Sequence, residues 1–201
     1  MQKNLTDQEL VQRTLTGELS AFEKLVRRYQ QAVFNIVFRI LRNKEEAEDI
    51  VQESFIKCYQ NLDKYDQGRP FTPWLYRIAS NLALTRVRQL KRHRLIPWDT
   101  ASSQLADRNA VNPAASLEAV EIKQEVSSYL AKLKPLDQLV IILRYYQDLN
   151  YDEIAYILDT THNNVEVRLC RARQRLRQIW ENQEVKKCSP AVKQKNSSIS
   201  I

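Results

Sequence analysis

The chain has 201 residues, enough for one large domain or two small ones, and only two of them are glycine. Lysine and arginine outnumber aspartate and glutamate by 31 to 24, and this positive excess favours a polyanionic partner. The three cysteines form no CxxC pair, which is typical of reduced cytosolic thiols rather than of a disulfide framework. No uninterrupted apolar stretch approaches the roughly 20 residues of a membrane span. We therefore expect a soluble, cytoplasmic protein without membrane insertion.

Hydrophobic residues recur at three- and four-residue intervals along most of the chain, a pattern that predicts an all-α fold. The first half contains several such segments. They span residues 7–12, 20–41, 47–62 and 72–94. Gly68 and Pro70 mark a turn between the last two segments. We expect these helices to form a compact bundle within residues 1–95.

Charge is unevenly distributed over the predicted helices. Residues 44–53 carry one basic and five acidic side chains, whereas residues 74–98 carry six basic side chains and no acidic one. Further along, residues 163–180 carry five arginines against one glutamate. Clusters of this kind on particular elements are typical of nucleic-acid-binding proteins, although a solvated helix face would explain any one of them.

The acidic segment predicts a helix with one buried and one exposed face. Its apolar stripe includes Phe55, while the opposite face carries Asp49, Gln52, Glu53 and Ile56. An apolar side chain within a charged rim indicates a protein-binding surface. Acidic residues at the start of a helix also complement its dipole, so the residues alone leave both interpretations open.

The basic segment predicts a helix whose two faces differ in character. Trp74 lies in the middle of the apolar stripe, which favours a place in the core. A polar and cationic ridge on the other face could follow a phosphate backbone, with Asn81 able to contact a base edge. Phe71 and Tyr76 are candidates for stacking on unpaired bases. The ridge consists of Arg77, Asn81, Leu84, Arg88 and Lys91.

The composition changes in the second half of the chain. Residues 96–116 are rich in Ser, Asn, Asp and Pro, and they predict a flexible linker. A second helical unit is predicted over residues 117–182, and the polar residues 183–201 predict a disordered tail. We therefore expect two small helical domains joined by a flexible linker.

The strongest local pattern lies within residues 149–177, where a short polar turn separates two helical segments. Asn150 is a suitable N-cap for the first segment, with Glu153 three residues later. Asn164 could cap the second segment, whose core stripe is Val165, Leu169, Ala172 and Leu176. Two such helices form a helix-turn-helix, in which the second helix enters the major groove of DNA.

The outward face of this second helix has side chains suited to reading DNA. Asn163 and Arg171 can hydrogen-bond to bases. Glu166 can accept a hydrogen bond from cytosine, and Val167 can contact a thymine methyl group. The flanking side chains, which are better placed for phosphates, are Arg168, Arg173, Arg175 and Arg177. A plain helical hairpin with a solvated basic face is the alternative interpretation.

Three motifs carry a family resemblance: AEDIVQESF, FTPWLYRIASN, and residues 133–176 with their EIA and RAR steps. In this order they resemble the extracytoplasmic-function (ECF) sigma factors of the sigma-70 family, which implies a sigma-2-like bundle and a sigma-4-like helix-turn-helix domain. The resemblance assigns binding of the polymerase clamp helices to Asp49, Gln52, Glu53, Phe55 and Ile56. It assigns recognition of the −10 promoter element to Arg77, Asn81, Arg88, Lys91, Arg92 and Arg94. It assigns recognition of the −35 element to Asn163, Asn164, Glu166, Val167, Arg168, Arg171 and Arg175.

Two departures from the family pattern bear on DNA specificity. Many members carry an acidic residue where this chain has Thr85. The stretch THNNVEVR also differs from the usual Pro-x-Gly-Thr-Val-Lys/Arg-Ser-Arg, because Asn164 replaces the capping threonine and Glu166 replaces a basic residue. We therefore expect the recognition helix to form but to prefer a different DNA sequence.

The resemblance implies a non-enzymatic sigma factor that directs core RNA polymerase to promoters. The expected partners are core polymerase and promoter DNA, both duplex and melted, with an anti-sigma factor as a further partner. No cofactor, metal or catalytic residue is expected, because His93 and His162 are isolated and no ligand spacing accompanies them. The alternative is a stand-alone helix-turn-helix regulator acting as a free dimer, which would leave the acidic face and the WLYRIASN block unexplained.

Overall fold

The computed structural model describes residues 5–93 and 117–188, and within these ranges every regular element is helical, which confirms the predicted all-α class. The predicted linker over 96–116 and Arg94 lie outside the described residues. The α-helices are α1 (Asp7–Leu15), α2 (Leu19–Leu41), α3 (Lys44–Gln60), α4 (Phe71–His93), α5 (Leu117–Leu130), α6 (Pro135–Tyr145), α7 (Tyr151–Leu158) and α8 (His162–Cys188). A 3-10 turn covers Leu62–Lys64. None of the described helices combines the length and apolar character that a membrane crossing requires.

Helices α1 to α4 form the first bundle, with α2 at its centre. Helix α2 packs against α1, α3 and α4, so its apolar stripe is covered along most of its length. The fully buried side chains on it include Leu25, Val33 and Ile36. A capping box between Thr6 and Glu9 starts α1, which satisfies backbone donors that the first turn of a helix leaves unpaired.

Helices α6, α7 and α8 form the helix-turn-helix unit. The apolar part of α6 is buried on all sides, and its side chains from Leu139 to Leu143 form the centre of the unit. The predicted capping box between Asn150 and Glu153 is present at the start of α7. The predicted core stripe of α8 is confirmed at Val165 and Ala172, both of which are fully buried.

Both ends of α8 differ from the sequence prediction. The helix begins at His162, and the Oγ1 of Thr161 accepts from the backbone N–H of Asn164 at 3.3 Å. The prediction that Asn164 caps this helix is therefore wrong, because its side-chain amide instead donates to Thr160. At the other end, α8 continues to Cys188, into the segment that was predicted as a tail, and an ion pair one turn apart joins Arg177 to Glu181.

The two helical units pack against each other through α2, α4, α6 and α7. The Tyr76 hydroxyl donates to Oε1 of Gln147 at 2.9 Å across this boundary. The side-chain amide of Gln138 donates to the backbone carbonyl of Arg39, whose guanidinium lies 3.9 Å from the centre of the Tyr146 ring. Buried apolar residues from both units form one continuous core.

Two aromatic residues of α4 have a different role from the predicted one. Phe71 and Tyr76 are only 2% and 4% exposed, so they are core residues and do not present a face for base stacking. Phe71 contacts the rings of Tyr29 and Tyr65, and burial raises the pKa of Tyr76 to about 12. Their places on the helix satisfy the apolar stripe, which is why aromatic character alone misassigned them.

The buried thiol of Cys58 provides a test of this packing. Burial raises its pKa to about 12, so at pH 7 only a minute fraction is thiolate, the form that reacts with alkylating reagents. We expect a Cys170→Ser, Cys188→Ser variant, which retains Cys58, to remain unlabelled by iodoacetamide until denaturant is added, as followed by mass spectrometry. The matched Cys58→Ser, Cys188→Ser variant should be labelled at the exposed Cys170 in the folded state. Equal labelling rates in the two variants would contradict the described packing of α3.

Candidate nucleic-acid and protein interfaces

An exposed surface with two carboxylates runs along α3 and contains most of the predicted protein-binding residues. We call Asp49, Gln52, Glu53 and Ile56 the acidic surface; all four are exposed, and Ile56 is 55% accessible. Phe55, by contrast, lies in the core at 6% exposure. The assignment of Phe55 to a contact surface is therefore corrected: its side chain points away from the acidic surface and anchors the helix that carries it.

The position of the acids along α3 bears on the two interpretations of this surface. Asn43 caps the helix by accepting from the backbone N–H of Glu46, so the first turn contains Glu45 and Glu46. A helix dipole acts over about one turn, and these two residues suffice to complement it. Asp49 and Glu53 lie beyond that turn, so their charge favours an interaction surface.

An ion pair ties the acidic helix to the basic helix beside it. Two guanidinium nitrogens of Arg86 donate to the carboxylate of Glu46, Nε and Nη2, the latter at 2.7 Å. These hydrogen bonds raise the pKa of Arg86 above its ordinary value. The contact fixes the start of α3 against the second half of α4. Two other acids of α3 form exposed pairs along their own helix, Glu48 with Lys44 at 3.8 Å and Glu53 with Lys57 at 2.9 Å. Exposed pairs of this kind are weak, so they leave the carboxylates accessible to a partner.

The predicted ridge of α4 is partly open and partly covered. Asn81, Arg88, Lys91 and Arg92 are exposed. Arg77, at the other end of the ridge, is half-buried against the second unit. Leu84 is also partly buried and packs on the core. The exposed part of the ridge has the amide and the cationic groups that a nucleic-acid strand requires.

Arg77 is held by the end of α7. One terminal nitrogen lies 3.0 Å from Oδ1 of Asp159, and the other donates to the backbone carbonyl of Tyr156 at 3.3 Å. The guanidinium also lies 5.2 Å from the centre of the Tyr156 ring. Sequence reasoning missed this contact, because Asp159 is 82 positions away and carries no local signal beyond its place at a helix end.

The outward face of α8 is exposed as the helical spacing predicts. Asn163, Glu166, Val167, Cys170 and Arg171 are all accessible, with Val167 46% exposed. Asn164 is exposed as well but is engaged with the preceding turn. An accessible helix face with an amide, a guanidinium and a small apolar group matches what base edges in the major groove present.

Two of the flanking arginines are held by a residue that the sequence analysis did not identify. Arg168 and Arg175 both form ion pairs with the carboxylate of Asp137 in the first turn of α6. The Asp137 side chain is only 3% exposed. The sequence gives one signal of this pairing, an acidic residue in a strongly apolar helix. Such a helix is expected to be buried, and buried carboxylates in proteins are usually paired.

His162 is engaged in local contacts with α7. The Nδ1 of His162 lies 2.7 Å from Asp152, and its ring contacts Tyr151, which places it at the junction of α7 and α8. His93 ends α4, and its side chain lies outside the described residues. Residues 5–92 and 124–184 contain no group of three or more metal-ligating side chains.

Comparison with known proteins gives matches in both units. Residues 25–93 match the family described as Sigma-70 region 2, and residues 123–176 match Sigma-70, region 4. The ECF RNA polymerase sigma factor SigW of Bacillus subtilis (strain 168) is 34% identical over 169 residues, which cover 80% of this chain and 89% of that protein. The ECF RNA polymerase sigma-E factor of Escherichia coli (strain K12) is 35% identical over 180 residues, which cover 87% and 94%. The solved structure of CnrH in complex with the cytosolic domain of CnrY has a TM-score of 0.64 at 25% identity and covers 88% of this chain and 97% of that chain.

The ion pair between α3 and α4 gives a stability prediction. We expect Glu46→Gln to lower the free energy of unfolding by about 1 kcal/mol, because it removes a charge-assisted pair in a partly buried position. Urea unfolding followed by circular dichroism would measure the change. The matched control is Glu48→Gln on the same helix, whose 3.8 Å pair with Lys44 is about half exposed and should contribute only a few tenths of that amount. Equal losses in the two variants would show that the Arg86 contact adds no specific stabilisation.

Proposed function

Because this chain belongs to the ECF group of the sigma-70 family, we propose that it directs core RNA polymerase to specific promoters and thereby initiates transcription. The main support for this proposal is that one chain presents an exposed acidic surface on α3 and two cationic helix faces on α4 and α8. One unit matches region 2 and the other matches region 4 of the family. A subunit that must bind a protein and a promoter at once needs these surfaces to be separate.

In this proposal the acidic surface binds the clamp helices of the largest polymerase subunit. An apolar centre with a charged rim is the usual anatomy of a protein interface, and Ile56 between Gln52 and Glu53 provides it. The exposed ring of Tyr59 continues the apolar part by one turn. The complementary surface on the polymerase should therefore carry basic residues around an apolar groove.

The DNA contacts are divided between the two units. The exposed ridge of α4, with Asn81, Arg88, Lys91 and Arg92, would capture the melted −10 strand. Arg77, once released from Asp159, and Arg94, which lies outside the described residues, complete the proposed set. The outward face of α8, with Asn163, Val167 and Arg171, would read the −35 duplex. Asn164, Glu166, Arg168 and Arg175 complete the second set.

The family assignment also decides between the alternatives. A stand-alone helix-turn-helix regulator would account for the second unit only, whereas residues 25–93 match region 2. We propose that the chain itself catalyses no reaction and acts in the cytoplasm, where the polymerase works. An anti-sigma factor is a further proposed partner, and the bound CnrY domain in the CnrH structure supports a protein partner for this fold.

Transcription with purified bacterial core polymerase and a library of genomic promoter fragments tests the function. Discrete initiation that depends on this chain is the expected result. Sequence-specific DNA binding by the chain without any initiation would favour the stand-alone regulator instead. The initiating fragments would at the same time supply the promoter sequence.

A charge reversal tests the docking site. We expect Glu53→Lys to weaken binding to core polymerase by about tenfold or more, because it places a cation against a basic partner surface. Biolayer interferometry with immobilised core polymerase would measure the affinity. The matched control is Glu23→Lys, the same change at an exposed position on α2, which should leave the affinity within about twofold. Equal effects of both changes would place the docking site elsewhere.

The contact of Arg77 with α7 predicts that the free chain has a lower affinity for single-stranded −10 DNA than it would have with Arg77 unpaired. Asp159→Asn removes the paired carboxylate and, because Asn tolerates the left-handed backbone of this position, keeps the end of the helix. We expect this variant to bind a −10 oligonucleotide up to about fivefold more tightly, the range of a largely exposed ion pair, as measured by fluorescence anisotropy. The control is Asp148→Asn, which has the same backbone conformation and charge change at an exposed site. If both variants gained the same affinity for the oligonucleotide, the cause would be the change in net charge and not the release of Arg77.

A further inference from the structure

A buried carboxylate joins the two outer helices of the helix-turn-helix unit. Asp137 lies in the first turn of α6, and its side chain is 3% exposed. Removing a charge from water costs several kcal/mol unless the charge is paired and hydrogen-bonded. The two oxygens of Asp137 meet this requirement by binding two different arginines, both of them on α8.

The geometry of the two ion pairs is regular. Nη1 of Arg168 lies 3.0 Å from Oδ1 of Asp137, and Nη1 of Arg175 donates to Oδ2. Seven residues are nearly two helical turns, so both arginines project from the same side of α8. The carboxylate thus spans two turns of the helix from a single point on α6.

We propose that Asp137 is the positioning residue of the DNA-reading helix: it fixes the rotation of α8 about its own axis and holds Arg168 and Arg175 beside the reading face. This inference rests on the proposed reading of −35 duplex by α8. It assigns to Asp137 a role in specificity, although its side chain is buried and does not itself reach DNA.

The apolar contacts of α8 need this second line of contacts. Val165, Leu169 and Ala172 form one narrow stripe, and a narrow stripe resists rotation of a helix weakly. Arg168 and Arg175 lie about 70 to 90° around the helix from the middle of that stripe, and their ion pairs oppose rotation in either direction. On the opposite flank Arg173 approaches the Tyr145 hydroxyl at 3.5 Å, a much weaker contact.

The arginines remain able to bind phosphate while they are paired. Their side chains are 41% and 45% exposed, and each guanidinium has five N–H donors of which the carboxylate occupies few. Fixing these side chains before DNA arrives reduces the conformational entropy lost on binding. The shared carboxylate also neutralises one of the two positive charges, which lowers the sequence-independent attraction to DNA. Asp137 therefore lowers the non-specific affinity for DNA and at the same time fixes the two arginine side chains.

Asp137→Asn in the full chain, assembled with core polymerase, tests the inference. The affinity is measured for a promoter and for the same promoter with a substituted −35 element, at several salt concentrations. We expect the ratio of the two affinities to fall about fivefold or more, the smallest discrimination that one good base contact provides. The slope of log affinity against log salt should steepen by up to about one unit, because a cation is released from pairing.

Two further variants separate positioning from stability. Asp137→Glu retains the charge, so it should keep the wild-type salt slope and recover part of the discrimination, and it replaces Asp137→Asn if that variant does not fold. Asp148→Asn makes the same charge change at an exposed site of the same unit and should leave the discrimination ratio unchanged. An unaltered affinity ratio in folded Asp137→Asn would overturn the inference. If Asp137→Asn does not fold, an unaltered ratio in Asp137→Glu, whose carboxylate is displaced by one methylene, would overturn it. If the wild-type holoenzyme itself ignores the −35 substitution, the proposed function of α8 fails instead.

Discussion

Burial of one apolar stripe per helix is the constraint on which the rest of this structure depends. The stripe of α3 buries Phe55 and Cys58, and that orientation leaves Glu53 and Ile56 exposed. The same applies to α8, where burying Val165 turns the opposite face outward. The residues proposed to bind partners are therefore those that the core leaves exposed, and a change in the core stripe would rotate the proposed binding surface with it.

This constraint explains which parts could be predicted from the sequence. Helical spacing was enough to predict the all-α fold, the exposed side of α3 and the outward face of α8, because each follows from a local repeat. The prediction failed at Phe71 and Tyr76, where aromatic character was given more weight than helical position: both rings lie in the core, although free rings would also suit DNA bases. The capping role of Asn164 failed for a similar reason, since Thr161, three residues earlier, could cap equally well.

Contacts between distant residues had no such local signal. Two ion pairs illustrate this: Arg77 with Asp159, and Arg168 with Asp137. Each pair forms because two helices that are not consecutive in the chain pack against each other. Charge counts along the sequence show that acids and bases are present but not which of them pair. The pairs become visible only when α4 lies against α7 and α6 lies against α8.

These two carboxylates perform different tasks because their exposure differs. Asp159 is 82% exposed, so water and salt compete for its pair with Arg77, and the contact can open at little cost when a nucleic acid competes for the arginine. Asp137 is 3% exposed, and breaking its pairs would leave a buried charge without a partner. The same chemistry, an aspartate paired with an arginine of a helix that we propose faces DNA, therefore gives a reversible contact on α4 and a lasting one on α8. That difference matches the roles proposed for the two helices, since a surface that captures a strand must become available whereas a helix that reads bases must keep its orientation.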